Sequence, residues 1–128
     1  MKYTYPKTEK LKSRKLIENI FAEGKSINKY PLRLAYSKLP VEAESAVKLG
    51  VSVSKKYFKK AVDRNYIKRL LREAYRLNKN LLIDDKQGYA FMLLYQSAVM
   101  PDFIQINEKT IQLFSKFAMM IKSAEGNN

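Results

Sequence analysis

At 128 residues and 46% hydrophobic content, the chain has the length of one domain, residues 1–128, and enough apolar material to bury a core. Its 25 Lys and Arg against 12 Asp and Glu leave a net charge of +13, an excess that points to nucleic acid, an acidic protein or an anionic membrane surface as partner. The absence of His and Cys removes the usual general base, the thiol nucleophile and the ordinary zinc site together, and no segment approaches the ~18 apolar residues of a spanning helix.

In chain order, the N-terminal MKYTYPKTEK holds no apolar signal core, so a cytoplasmic protein is expected, and the lack of Cys fits a reducing compartment. Residues 1–10 and the tail 123–128, SAEGNN, are the expected loose ends,. Ser13 is placed to cap a helix that carries Leu16, Ile17, Ile20 and Phe21 on one face and stops at Gly24,. Ser26 to Asn28 read as a brief strand, and after Pro31 the run LRLAYS alternates, with Leu32, Leu34 and Tyr36 on one side,. LPVEAESA is a polar turn. KLGVSVS, from Lys48 to Ser54, alternates again, with Leu49, Val51 and Val53 facing one way and Gly50, Ser52 and Ser54 the other,. A basic helix is expected from Lys59 to Lys79. The turn at Asp84 to Gly88 leads into YAFMLLY, a continuous apolar run that belongs in the centre of a sheet,. Past Pro101, the segment from Asn107 to Ser123 sets Ile111, Phe114, Phe117, Ala118 and Ile121 at helical spacing,. The order helix, two or three strands, helix, strand, helix predicts an α+β, two-layer domain, with helices packed on a small, largely antiparallel sheet.

The basic helix is the most informative segment. Lys56, Lys60, Arg64, Lys68, Arg72 and Arg76 recur every four residues, so they form a slowly winding stripe along one side of a helix. With Arg64 at 0° and about 100° per residue, Lys68, Arg72, Arg76, Arg69 and Asn65 fall between about 0° and 140°. Tyr66, Ile67, Leu70, Leu71, Ala74 and Leu77 fall between about 200° and 340°, the wide apolar face of a helix packed on a core. Asp63 falls on that apolar side, but in the first turn, where the helix dipole favours a carboxylate. A merely solvated helix mixes signs at this spacing for a small gain. Here Lys55 to Arg76 holds nine basic residues and only Asp63 and Glu73. Stability given up to keep one sign of charge on one face points to a polyanion, and specifically to nucleic acid.

Catalysis by these side chains is not expected. Asp84 and Asp85 read as turn residues beside Lys86, and Asp102 and Glu108 as groups near a helix start. Gly24, Gly50, Gly88 and Gly126 stand singly, so no glycine-rich phosphate loop exists,. No metal site is expected on the chain. Phe21, Tyr36, Phe58 and Tyr66 are the candidates for stacking on unpaired bases, Phe21 foremost because its helix can flank the sheet face that carries Ser52 and Ser54.

The segment VSVSKKYFKKAVDRNYIKRLLREAYR resembles the signature of the bacterial ribonuclease P protein component: a strand ending in S-K-K, a short basic connection, then R-N-x-x-K-R-x-x-R-E on a helix. Length, charge and the upstream IFAEGKS agree with it. The resemblance implies a ribosomal protein S5 domain 2-like topology, a mixed sheet with a left-handed crossover between parallel strands, which general topology rules disfavour. It implies a protein subunit whose partners are the catalytic RNA of ribonuclease P and precursor tRNA, with no stable protein partner. The RNA, using magnesium ions, hydrolyses a phosphodiester to release the 5′ leader. Arg64, Asn65, Lys68, Arg69 and Arg72 match the family's basic motif, and Lys55, Lys56, Lys60 and Arg76 extend the expected RNA-binding set. One departure is Tyr66, where the family usually has Arg. The family's leader cleft, between the first helix and the sheet, maps onto Phe21, Tyr36, Ser52 and Ser54. The alternatives are a ribosomal or assembly protein that binds structured RNA without processing it, a self-sufficient carboxylate–magnesium nuclease, and a DNA-binding protein reading bases with Arg64 and Asn65.

Overall fold

The computed structural model describes residues 5–23, 25–40, 45–83 and 87–126. Helix α1 is Arg14–Glu23, begun where the Ser13 hydroxyl accepts the Leu16 N–H at 3.3 Å, the cap its sequence position suggested. Strands β1 (Ser26–Lys29), β2 (Leu32–Lys38), β3 (Val47–Val53) and β4 (Tyr89–Tyr95) make one sheet in the order β1-β2-β4-β3. β1 with β2 and β2 with β4 run antiparallel. β3 and β4 run parallel, and α2 (Ala61–Asn78) is the crossover between them. The apolar run YAFMLLY thus takes a central position, buried on both faces. Residues 41–44 of the predicted turn LPVEAESA, residues 84–86 of the turn predicted at Asp84 to Gly88, and the helix stop at Gly24 lie outside the described residues.

Helix α3 (Phe103–Gly126) begins a turn earlier than its apolar spacing suggests and runs into the tail expected to be loose. Its start is fixed by a reciprocal capping box: the Asp102 carboxylate accepts the Gln105 N–H at 2.8 Å, and the Gln105 side chain accepts the Asp102 N–H at 3.3 Å,. That signal sits in Asp102 and Gln105 rather than in the hydrophobic period. No helix among the described residues is long and apolar enough to cross a membrane.

Strand alternation sends Leu32, Leu34 and Tyr36, Leu49 and Val53, and Tyr89, Phe91 and Tyr95 to the face covered by α2 and α3,. Phe117 of α3 is the hub there, edge-on to Tyr36, Tyr89 and Phe91 at centroid distances of 5.1, 5.2 and 5.0 Å, geometry that the ring quadrupoles favour. The other face is thinner. Ala35, Ala90 and Met92 meet Leu11 and Ile20, with Leu16 and Ile17 half-buried around them, so α1 and the residue Leu11 just before it cover this face. Leu11 lies against Gly50 on one sheet edge, and the chain re-enters the sheet at Ser26 on the opposite edge. α1 therefore crosses the strands from edge to edge, covering only part of this face.

The expectation of a loose N-terminus does not hold for residues 5–10. Lys10 forms a parallel bridge with Leu49, and the Leu11 N–H donates to the Leu49 carbonyl at 3.0 Å. β3 is an edge strand whose unpaired backbone groups need partners, and the N-terminal segment supplies some of them.

Candidate nucleic-acid interface

α2 buries Ile67, Leu71, Ala74 and Tyr75, and its basic residues stand on the other side as the helical period requires. Lys55, Lys56, Lys60, Asn65, Arg69 and Arg72 are exposed, while Arg64, Lys68 and Arg76 are half-buried. Arg76 is paired with Glu73 one turn back; that hydrogen bond holds the Glu73 carboxyl below its usual range and raises the guanidinium. Among the described residues no ion pair involves Lys55, Lys56, Lys60, Arg64, Lys68, Arg69 or Arg72. Apart from Arg76, the stripe keeps its charge uncancelled among the described residues.

Two local devices shape the start of this face. The Arg64 guanidinium donates to the carbonyls of Phe58 and Lys59, both at 2.8 Å, tying the β3–α2 connection to the first turn of α2. The Ser54 hydroxyl accepts the Lys56 N–H at 3.0 Å, so Ser54 holds the turn that presents Lys55 and Lys56. Tyr66, at the position of the departure from the family motif, is 38% exposed, and the Arg69 guanidinium lies 5.7 Å over its ring. The ring orients a neighbouring cation by its negative face. Phe58 is buried and packs on Tyr95 at 6.3 Å, which leaves it no free face for a base.

A wheel drawn on α2 alone misplaces two residues. Tyr75 and Lys79 fall at about 20° and 60°, inside the basic sector, yet both are buried. The N-terminal segment covers them. The Tyr75 hydroxyl donates to the Glu9 carboxylate at 2.5 Å, and the Lys79 ammonium donates to it at 3.0 Å. Tyr5 sits edge-on to Tyr75 at 5.2 Å and donates to the Leu49 carbonyl. Burial, then the bond to Glu9, pushes the Tyr75 hydroxyl far above its ordinary value. Removing either member of the Glu9–Lys79 pair strands the other charge away from water, at a cost of about 3–5 kcal/mol.

Between this segment, α1 and the sheet runs a groove of about 420 Å³. Gly50 and Met92 form its floor; Ile17 of α1, Lys10 and Lys12 of the N-terminal segment, and Arg72 of α2 are on its walls. Met92 approaches Gly50 closely: a Cβ there would come within 2.7 Å of the Met92 sulfur and push that flexible side chain aside. Phe21 is 49% exposed and stands one turn beyond Ile17 on the same flank of α1. Ser52 follows Gly50 on the same sheet face and is half-buried,.

The four residues assigned to the cleft are therefore not brought together as a set. Phe21 and Ser52 share the α1 side, and Ser54 is engaged in the turn. Tyr36 faces α3 and packs on Phe117, because its strand alternates in register with Leu32 and Leu34; Ala35 is the residue that faces α1. A slip of one residue along a strand exchanges its two faces. The sequence reading missed Lys10, Lys12 and Met92 as groove residues. The only local trace was the basic pair flanking Leu11.

Comparisons with known proteins identify the family. The Ribonuclease P family model matches residues 5–118. The chain belongs to the ribonuclease P protein family. It is similar to the ribonuclease P protein component of Porphyromonas gingivalis, 48% identical over 104 residues that make up 76% of this chain and 74% of the relative. The corresponding protein of Dictyoglomus turgidum is 32% identical over 120 residues, 94% of this chain and 98% of that one. Among solved structures, the RNase P protein from Thermotoga maritima superposes with a TM-score of 0.68 at 27% identity, covering 84% of this chain and 96% of that one. As a ribonuclease P protein component, the chain serves a ribonucleoprotein endoribonuclease of tRNA 5′ processing, with catalysis on the RNA.

Proposed function

We propose that this ribonuclease P protein docks on the catalytic RNA through the α2 face, from Lys55 to Arg76, and holds the single-stranded 5′ leader of precursor tRNA in the groove beside α1. The observation that carries this reading is continuity: Arg72 belongs to the α2 stripe and also lines the groove, so one cation serves both surfaces. The chemistry suits the division. Phosphates repel one another, and a uniformly basic face releases their counterions on binding. The leader is unpaired, so Phe21 offers a stacking platform worth about 1–3 kcal/mol per base without regard to sequence.

Magnesium belongs with the RNA in this reading. Magnesium takes oxygen ligands, phosphates among them, and among the described residues no three acidic groups gather to compete with the RNA for it,. Positive charge near the RNA phosphates lowers the ion concentration that the RNA needs. A cytoplasmic location fits the same reading.

The test is reconstitution with a bacterial ribonuclease P RNA and precursor tRNA at low magnesium. Cleavage is expected to be stimulated by the protein and absent without the RNA, with the protein raising affinity for precursor but not for mature tRNA. Equal affinity for both substrates, with and without the protein, removes the leader role. A structured-RNA binder without a processing role predicts that equality.

A further inference from the structure

The segment from Tyr5 to Lys12 does more than cover an edge strand. Besides the backbone pairing at Leu49, it is held by the Lys48 ammonium on the Thr8 carbonyl at 2.8 Å, by Tyr5 on the Leu49 carbonyl, and by the Glu9 carboxylate, which receives Tyr75 and Lys79. That last contact is a nearly buried ion pair, with side-chain exposures of 9% for Lys79 and 13% for Glu9. Pairing and apolar contact would suffice to shield backbone groups, whereas a buried charge pair fixes one geometry. What that geometry fixes is the pair of cations on either side of Leu11.

Lys10 and Lys12 both line the groove, and neither is in an ion pair with a carboxylate among the described residues. The Lys10 ammonium rests 5.5 Å over the Tyr5 ring, and Lys12 is exposed. Arg72 approaches the same groove from the opposite side of the sheet, next to Val51 on the outer edge of β3. Three cations thus stand where the surface turns from the α2 face to the α1 face. An unpaired strand is flexible enough to turn round a sheet edge; an A-form duplex, wide and stiff, is not.

We propose that residues 5–12 are a fixed strap whose Lys10 and Lys12, with Arg72, form a phosphodiester-binding notch where single-stranded RNA crosses the edge of β3, and that Glu9 is the positioning residue that holds the strap. The inference rests on the reading of the α2 face and the α1 groove as RNA sites.

The test uses the full chain reconstituted with a bacterial ribonuclease P RNA, and precursor tRNAs with leaders of graded length. Lys10→Ala with Lys12→Ala, a change of surface charges, is expected to lower precursor affinity about five- to tenfold and to flatten the slope of log affinity against log salt by about 1–2 units. Mature tRNA affinity is expected to stay unchanged, and the loss to vanish for leaders too short to reach the notch. Glu9→Ala is expected to give a similar loss together with faster hydrogen exchange at the Leu11 amide, and Glu9→Gln, which still accepts the Tyr75 hydroxyl hydrogen, to recover part of it. The strap proposal is overturned if the double lysine variant keeps wild-type precursor affinity, or if Glu9→Ala frees the Leu11 amide without changing that affinity. Where Glu9→Ala does not fold, the double variant decides alone. If the wild-type chain binds precursor and mature tRNA equally, the leader reading itself has failed and the notch falls with it.

Discussion

The α2 face and the α1 groove are both basic surfaces, yet they are built in opposite ways. The first lies on one helix, where a four-residue spacing puts Lys60, Arg64, Lys68 and Arg72 on one side as soon as the helix forms,. The second is assembled from Lys10 and Lys12, Ile17, Gly50, Arg72 and Met92, segments that meet only through the sheet and its thin α1 layer. A surface carried by one helix survives loosening elsewhere. A surface made by convergence fails when any one of its supports does.

The largest effect is expected from Ile20→Ala. Ile20 is fully buried and is the main anchor of α1 on the sheet, so its truncation should cost about 2–5 kcal/mol in denaturant unfolding. Preference for precursor over mature tRNA should disappear, while affinity for the catalytic RNA changes by less than about twofold, which is under 0.5 kcal/mol. Parallel loss of both affinities would mean that the two surfaces are one cooperative unit.

The strap's response to alkali comes next. Burial raises the Tyr75 and Tyr5 hydroxyls above the ordinary value, so the folded chain keeps protons that the unfolded chain releases. Stability from these groups is complete below about pH 10 and falls as pH rises beyond it. Tyr75→Phe should cost about 1.5–3 kcal/mol near neutrality, by removing a hydrogen bond to a charged acceptor, and should make the alkaline decline shallower. Urea unfolding across a pH series checks both parts, and an unchanged alkaline slope would remove Tyr75 from the account.

A smaller, purely electrostatic effect is expected on the helix face. Arg69→Ala should flatten the dependence of log affinity for the catalytic RNA on log salt by about one unit if it meets one phosphate, with the fold intact by circular dichroism. An unchanged slope would put Arg69, and the Tyr66 ring beneath it, outside the interface. The smallest effect belongs to Tyr36→Phe. Tyr36 faces Phe117, away from α1, so stability should move by no more than about 0.5 kcal/mol and precursor affinity not at all. Weaker precursor binding would place the leader on the other face of the sheet.

How much was legible follows from the range of the interactions. The Ser13 cap, the alternation of β2 and β3 and the apolar run of β4 are local, and each was readable from a few consecutive residues. The early start of α3 was also written locally, in Asp102 and Gln105, but in hydrogen-bonding groups rather than in hydrophobic spacing. Tyr36 shows the opposite limit: alternation told that Tyr36 shares a face with Leu32 and Leu34, while which helix covers that face is set by contacts far along the chain. Tyr75 and Lys79 belong to the same class, since their wheel positions put them among exposed cations until Glu9, 66 residues away from Tyr75, is brought against them.

By itself the sequence determined the charge, the period that gathers it on one side of α2, and the signature that marks the family, because the first is a sum over composition and the other two are written in one continuous segment, residues 51–76. Only the tertiary structure decided where that basic face ends, which strand residues look toward α1, and that Lys10, Lys12 and Arg72 share a groove. Those outcomes depend on packing between segments that no local period connects, and burial of apolar surface, being non-directional, leaves no mark of its partner in the residues that seek it.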